Sequence, residues 1–220
     1  STGYGDILLS LLGFCPFSQV CDTGGLWAII HGLTGSMKSA TSRLILQAYA
    51  LVWGLQETST INLREEASKV FAIEQVLYFL AGMFAHLDDG LKGNDISPQD
   101  IKKFWTMVSI IGGHNATRQG AKRGVWASGE GGFGIEPYPR GSGVITVETL
   151  PNSEAHASDL ARFLTVSLDS IDCVDMSLLT ELQSEQSAKA INRATASYIM
   201  WLLPHMKDFL QIIPEKAEIY

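Results

Sequence analysis

The sequence predicts a mainly α-helical domain with one glycine-rich loop and a short β-hairpin inserted at about residues 129–149. Apolar residues recur at helical spacing over much of the chain, as in amphipathic helices packed around a core. Val144–Thr149 is the one convincing strand pattern. A chain of 220 residues is long enough to form a single domain with one hydrophobic core. We predict a helical bundle-like single domain over 1–220, with an apolar N-terminal arm (1–37), a loop and hairpin (112–150) and C-terminal helices (153–213).

Capping residues mark where the predicted helices begin. Ser36 and Ser97 are suited to the N-cap position, and Pro98 occupies the favoured first helical position after Ser97. Asn62 with Glu65 three residues later resembles a capping box. The predicted helices span residues 7–12, 26–33, 36–56, 62–87, 97–111, 153–168 and 177–209. We expect the last of them to kink at Pro204, which lacks the backbone donor.

The composition indicates that part of the protein surface is apolar and is covered by contacts rather than exposed to water. Charged residues make up 18% of the chain, below the roughly 25% that is typical of soluble proteins. Asp6 and Asp22 are the only charges before Lys38, and the last helix is also rich in apolar residues. Contacts between subunits would cover such surface, so we expect a homo-oligomer. A large core with both termini folded into their own subunit is the alternative.

Several classes of protein are disfavoured by the sequence. No uncharged run reaches the roughly 18 residues of a membrane-spanning helix, and no basic flank of a secretory signal precedes the first apolar stretch. The three cysteines form no CxxC pair, which favours free thiols in a reducing compartment. We expect a soluble, intracellular protein of the cytoplasm, or of a virion if it is a viral coat protein.

A glycine-rich basic segment is the most distinctive feature. Residues 112–143 hold 10 of the 21 glycines. Between residues 101 and 140 six basic side chains face two acidic ones, a net charge of +4 in a chain whose total is −7. Segregated positive charge, with backbone amides exposed by glycine, is suited to phosphate oxygens. A polar surface loop without a ligand is the alternative explanation.

The residues of this segment predict a nucleic-acid interface. Basic side chains would neutralise phosphates, and interleaved aromatic rings would stack on bases. The predicted nucleic-acid-binding residues are Arg118, Lys122, Arg123, Arg140, His114, Trp126 and Tyr138.

Familiar catalytic and cofactor motifs are missing. The chain contains no GxxxxGK[ST] phosphate-binding loop, no GxSxG nucleophile elbow and no HExxH zinc motif. The stretch Gly129–Gly134 resembles a dinucleotide fingerprint only in its glycines, because no buried strand precedes it. No cofactor and no catalytic residue is therefore predicted.

Three aspartates form an acidic corner after the predicted helix 62–87. Asp88, Asp89 and Asp95 resemble the carboxylate clusters that bind divalent metals. Turn chemistry between two helices explains the same residues without a metal. We keep them as candidate metal ligands while expecting no metal.

Three functions are compatible with these features. The preferred one is a non-enzymatic, self-associating structural protein that binds the phosphate backbone of single-stranded nucleic acid and is similar in architecture to viral coat or nucleocapsid proteins. The first alternative is a helical enzyme in which Asp88, Asp89 and Asp95 hold a divalent metal and the glycine-rich loop closes over a phosphorylated or anionic small molecule. The second alternative is a protein–protein interaction module.

Overall fold

The computed structural model describes residues 25–50, 60–63, 70–80, 84–91, 93, 96–113, 141–151, 156–168 and 174–217. Strands and helices alternate along these ranges. In chain order the elements are β1 (Trp27–Gly32), α1 (Lys38–Ala50), β2 (Thr60–Asn62), α2 (Val70–Phe79), β3 (Phe84–Asp88), α3 (Pro98–Gly113), β4 (Ser142–Val147), α4 (Ala157–Leu160), β5 (Leu164–Leu168), α5 (Met176–Leu182) and α6 (Glu185–Ala217).

The five strands form one parallel sheet in the order β2-β3-β4-β1-β5. Strand β1, next to the edge strand β5, pairs with β4 on its other side, so that Ile29 lies opposite both Ile145 and Thr165. Strand β3 pairs with β2 and β4, which places His86 opposite Thr60. Because all the strands are parallel, their carboxyl ends lie along a single edge of the sheet, where α/β proteins bind their ligands.

Both faces of the sheet are covered by apolar side chains. On one face Ala28 and Ile30 of β1 belong to a buried cluster with α1, against which Ile191 and Ile199 of α6 also pack. On the other face a second cluster joins the sheet to α2 and α3. Burial on both faces is the normal situation of a parallel sheet.

The predicted mainly α-helical bundle is wrong, because the fold is an α/β sheet. Strands β1, β3 and β4 are buried along nearly their whole length. A strand buried on both faces shows a continuous apolar run without alternation, and periodicity cannot distinguish that run from a buried helix. Residues 26–33 and the end of 62–87 were therefore assigned to helices.

The predicted β-hairpin is also wrong in its pairing. Residues 142–147 form an interior strand that pairs in parallel with β1 and β3. The first part of the predicted hairpin, residues 129–140, lies outside the described residues. Residues 27–32 of the predicted N-terminal arm (1–37) form an interior strand, β1.

The predicted helix 97–111 is confirmed as α3. The Ser97 hydroxyl accepts a 3.1 Å hydrogen bond from the backbone nitrogen of Asp100, as an N-cap does, and the helix ends at Gly113. The capping box at Asn62 is wrong, since Asn62 ends β2. The region 153–213 contains α4 to α6, but the predicted helix 153–168 holds α4 and β5 instead. Helix α6 continues through Pro204.

No described helix combines the length and the apolar character that crossing a membrane requires. That the whole of 1–220 forms one domain, and that the protein is a homo-oligomer, stay predictions.

Candidate functional site

A cavity of about 300 Å³ lies at the carboxyl edge of the sheet. Three segments line it: the loop from β1 into α1, the residues at the end of β3, and the residues at the end of β4. The lining residues are Thr34, Gly35, Met37, Lys38, Ser39, Ala40, Arg43, Asp88, Asp89, Thr146, Val147 and Glu148. The cavity therefore lies at the carboxyl ends of three adjacent strands, β3, β4 and β1.

The segment from the last residue of β1 to the first turn of α1, residues 32–39, turns sharply from the sheet into the helix; we call it the β1–α1 loop. Gly32 is required at its start, because a Cβ atom there would lie 2.0 Å from the carbonyl oxygen of Leu168 in β5. Met37, just before the helix, has a positive φ of 61°, a conformation that costs an L residue about 1–2 kcal/mol. Helix N-termini attract anions, because their first N–H groups lack intrahelical acceptors and the dipole is positive there.

Lys38 is the first residue of α1, and its ammonium group is enclosed by the loop. It donates hydrogen bonds to the carbonyl oxygens of Gly32 at 2.6 Å and Leu33 at 2.8 Å. A third bond reaches the Ser36 hydroxyl at 3.2 Å. The residue is 7% exposed, so the loop holds a buried positive charge beside the cavity.

Ser39 connects the loop to the end of β3. Its hydroxyl donates a 2.6 Å hydrogen bond to Oδ1 of Asp88. The same oxygen accepts a 2.5 Å bond from Thr146 at the end of β4 and a 3.1 Å bond from the backbone nitrogen of Asp89. Arg43, one helical turn after Ser39, lies 3.5 Å from Oδ2 of Asp88.

These contacts keep the Asp88 carboxyl ionised. Burial favours its protonated form, but hydrogen bonds from Ser39 and Thr146 outweigh that effect and lower its pKa below the ordinary value. An ionised carboxylate beside a hydroxyl presents oxygen atoms, which are the ligands that Mg²⁺ prefers.

His86 lies deeper in the sheet than Asp88 and points to the same face, two residues earlier on β3. Burial lowers the pKa of His86 to about 4, although the neighbouring Asp88 charge opposes the shift. The ring is therefore neutral at neutral pH, and its 3.7 Å approach to Asp88 is a contact between a dipole and a charge rather than an ion pair.

Glu148 joins the loop to the turn after β3. Its Oε1 accepts a 2.6 Å hydrogen bond from the Thr34 hydroxyl, and its Oε2 accepts a 2.7 Å bond from the backbone nitrogen of Gly93. The carboxylate thus fixes the relative position of two lining segments. It also adds negative charge to a cavity that carries Asp88 and Asp89.

The sequence-based site predictions have separate outcomes. Asp88 and Asp89, two of the candidate metal ligands, line the cavity, whereas Asp95 lies outside the described residues. In the described part of the chain no three His, Cys, Asp or Glu side chains group closely enough to hold a metal by themselves. The predicted nucleic-acid-binding residues also lie outside the described ranges, so that interface stays a prediction. They are Arg118, Lys122, Arg123, Arg140, His114, Trp126 and Tyr138.

Sequence reasoning missed Lys38, Ser39 and Thr146. The stretch Gly32–Ser39, GLTGSMKS, differs from GxxxxGK[ST] only by Met37 at the second glycine. The strict motif excluded it, and the preceding apolar run was assigned to a helix. The useful signal was the uncharged, mostly apolar run at residues 26–31. It is followed by Gly32, Gly35, Lys38 and Ser39 and then by a helix.

Comparisons with protein-family models, with curated proteins and with solved structures find no significant match. The function is therefore inferred from the geometry of the site.

Proposed function

We propose that the cavity binds the phosphate chain of a nucleoside triphosphate together with Mg²⁺, and that the protein hydrolyses the terminal phosphate. The observation that carries this proposal is the arrangement of Lys38, Ser39 and Asp88 around a loop at the end of the interior strand β1. P-loop nucleotide hydrolases use the same three residue types: a lysine for the β- and γ-phosphates, and a hydroxyl with an aspartate for the metal.

The position of the loop supports the proposal independently of residue type. It leaves the carboxyl end of β1, whose neighbours are β4 and β5, and it enters the N-terminus of the 13-residue helix α1. Phosphate groups bind at such helix N-termini, where amide groups and the helix dipole attract negative charge. Met37 replaces the usual glycine, and its positive φ maintains the backbone conformation that glycine would adopt.

The residues present fit a magnesium ion. Mg²⁺ binds through one or two protein oxygens and completes its shell with waters and substrate phosphates, so Ser39 and Asp88 suffice as protein ligands. When bound, the ion would neutralise charge on the transferring phosphate. The charges of the cavity agree with this requirement, because Lys38 and Arg43 face three carboxylates, Asp88, Asp89 and Glu148. A phosphate chain without a cation would meet net negative charge.

Two carboxylates are candidates for orienting the attacking water. Asp89 directly follows Asp88 and has a positive φ of 56°, and Glu148 lies at the end of β4. Either can accept a proton from water in the course of the reaction. Separate Asp89→Asn and Glu148→Gln substitutions distinguish them, because loss of the acting acceptor lowers kcat far more than loss of the other carboxylate.

The test is equilibrium binding and phosphate release with ATP, GTP and inorganic tripolyphosphate, each with Mg²⁺. We expect binding and slow hydrolysis by the wild-type protein, and Lys38→Ala to weaken binding about 10- to 100-fold, since a hydrogen bond to a charged group contributes about 1.5–3 kcal/mol. Lys102→Ala, at an exposed position on α3, is the matched control and should bind as wild type does. Failure of the wild-type protein to bind all three phosphates, or unchanged affinity in a folded Lys38→Ala variant, would contradict the proposal.

A further inference from the structure

His86 occupies the middle of a row of polar side chains that crosses three strands. It is 0% exposed. Its Nδ1 lies 3.4 Å from the Thr60 hydroxyl on β2, and its Nε2 lies 3.2 Å from the Thr146 hydroxyl on β4. The Thr146 hydroxyl in turn contacts Oδ1 of Asp88 at 2.5 Å. The row therefore runs from the outer strand of the sheet to the carboxylate at the cavity.

The hydrogen bonds in this row have a defined direction. An ionised carboxylate can only accept, so the Thr146 hydroxyl donates its proton to Asp88. A second acceptor, the carbonyl oxygen of Leu87, is 3.5 Å from the Thr146 hydroxyl and competes weakly with a contact of 2.5 Å. The Thr146 oxygen must then accept a hydrogen bond from His86, which places the ring proton on Nε2. Nδ1 is left to accept from Thr60.

We propose that His86 is a positioning residue that holds Asp88 in place for the metal of the proposed nucleotide site. This inference rests on the proposed function. A metal on Ser39 would use a lone pair of the hydroxyl oxygen and leave its proton free to bond Asp88. Thr146 is the second side-chain hydroxyl on Oδ1, and the hydrogen bond from His86 fixes its orientation. Such outer partners of a metal ligand commonly change metal affinity or activity 10- to 100-fold when they are removed.

The alternative is that His86 is a core residue with satisfied hydrogen bonds and no effect on the cavity. The two roles differ in what a substitution changes. A core role affects folding stability alone, whereas a positioning role also affects nucleotide binding in the presence of Mg²⁺ and leaves metal-free binding intact.

The experiment compares His86→Leu, His86→Gln and wild-type protein, with His156→Leu as a control histidine outside the cavity. The Kd of a fluorescent ATP analogue is measured with saturating Mg²⁺ and again in EDTA. We expect His86→Leu to lose about tenfold in the Mg²⁺-supported affinity with no change in EDTA. His86→Gln, whose amide places an N–H donor near Nε2, should recover most of the loss. His156→Leu should bind as wild type does.

A measurement on the unmodified protein covers the case in which His86→Leu does not fold. The ¹⁵N chemical shifts of the His86 ring should show a protonated Nε2 and an unprotonated Nδ1. The opposite tautomer would overturn the inference, as would a folded His86→Leu variant with wild-type Kd values in both conditions. If the wild-type protein binds no nucleotide, the proposed function and the inference both fall; if it binds and His86→Leu matches it, only the inference falls.

Discussion

The Ser39 hydroxyl lies 2.6 Å from Oδ1 of Asp88, although the two residues are 49 positions apart in the chain. This hydrogen bond ties the first turn of α1 to the end of β3. It brings a hydroxyl, a carboxylate and the enclosed Lys38 ammonium to one cavity, and so the contact supports both the stability of the loop and the proposed binding of a metal.

Ser39 and Asp88 should be energetically coupled in the ligand-free protein. We expect the double-mutant cycle of Ser39→Ala and Asp88→Asn, measured by urea denaturation, to give a coupling of about 1 kcal/mol or more, as for other contacting pairs with a charged partner. Pairing Asp88→Asn with Thr106→Ala, on the exposed side of α3, is the control and should be additive. Additivity within about 0.3 kcal/mol in the Ser39 cycle would contradict the hydrogen bond.

The Met37→Gly variant of the protein should be more stable than the Met37→Ala variant. The positive φ at this position is unfavourable for any L side chain, whereas glycine adopts it without a steric cost. We expect Met37→Gly to exceed Met37→Ala in unfolding free energy by up to about 1 kcal/mol, measured by thermal denaturation. An alanine variant of equal or higher stability would show that the loop does not hold this conformation in solution.

Gly143 should tolerate no larger residue. A Cβ atom there would lie 2.3 Å from the carbonyl oxygen of Ala85 and 2.6 Å from the ring of Trp27. Because the first of these atoms belongs to the backbone, Gly143→Ala must displace a strand, and we expect a loss of at least about 1–3 kcal/mol in unfolding free energy. Gly93→Ala, where a Cβ meets no atom within 4 Å, should cost only the strain of its positive φ. Equal losses in the two variants would argue against the close packing of β3 and β4.

Asp159 should make stability depend on pH in the acid range. A 2.6 Å hydrogen bond from Ser109 holds the pKa of Asp159 below its ordinary value near 3.8. A carboxyl with a lowered folded pKa contributes stability that is present above the unfolded pKa and is lost as the pH falls through the folded pKa. The stability that wild type has over Asp159→Asn should shrink as the pH falls below about 4, where the carboxyl becomes protonated. Ser109→Ala should move that loss to higher pH, and a difference independent of pH would refute the assignment.

The basic segment gives a prediction that is independent of the cavity. If Arg118, Lys122, Arg123 and Arg140 contact phosphates, four contacts imply a log–log salt slope of about −3 for single-stranded nucleic acid. Replacing Arg118 and Lys122 together by alanine should roughly halve that slope, whereas Lys38→Ala should not change it. Nucleic-acid binding that does not depend on salt concentration would contradict this predicted interface.

How far the sequence predicts the fold depends on the kind of element. Helix α3 was placed correctly, because Ser97, Pro98 and the terminal glycines are local signals and one face of the helix is apolar. Strands β1 and β3 were missed, because covering both of their faces removes the alternation that identifies a strand. The strands that pair with β1 and β3 are also distant in sequence, so no local pattern indicates the pairing.

The site was predicted only in its acidic part. Asp88 and Asp89 stood out as adjacent carboxylates, but Lys38 and Ser39 were not connected with them. The connection depends on β1 and β3 lying in the same parallel sheet, with β4 between them. This tertiary arrangement cannot be read from local sequence patterns. A strict motif also failed at a single position, because Met37 adopts a backbone conformation for which glycine is the usual residue.

The place of β1 in the sheet has a consequence for the order of folding. Residue 27 pairs with residue 143, and residue 28 pairs with residue 164, so the two neighbours of β1 join it only after more than 100 further residues have been made. Loops of that size make such pairings slow. We expect a ribosome-bound fragment that ends before residue 142 to leave the β1–α1 loop unformed, and refolding from denaturant to be slow and prone to aggregation.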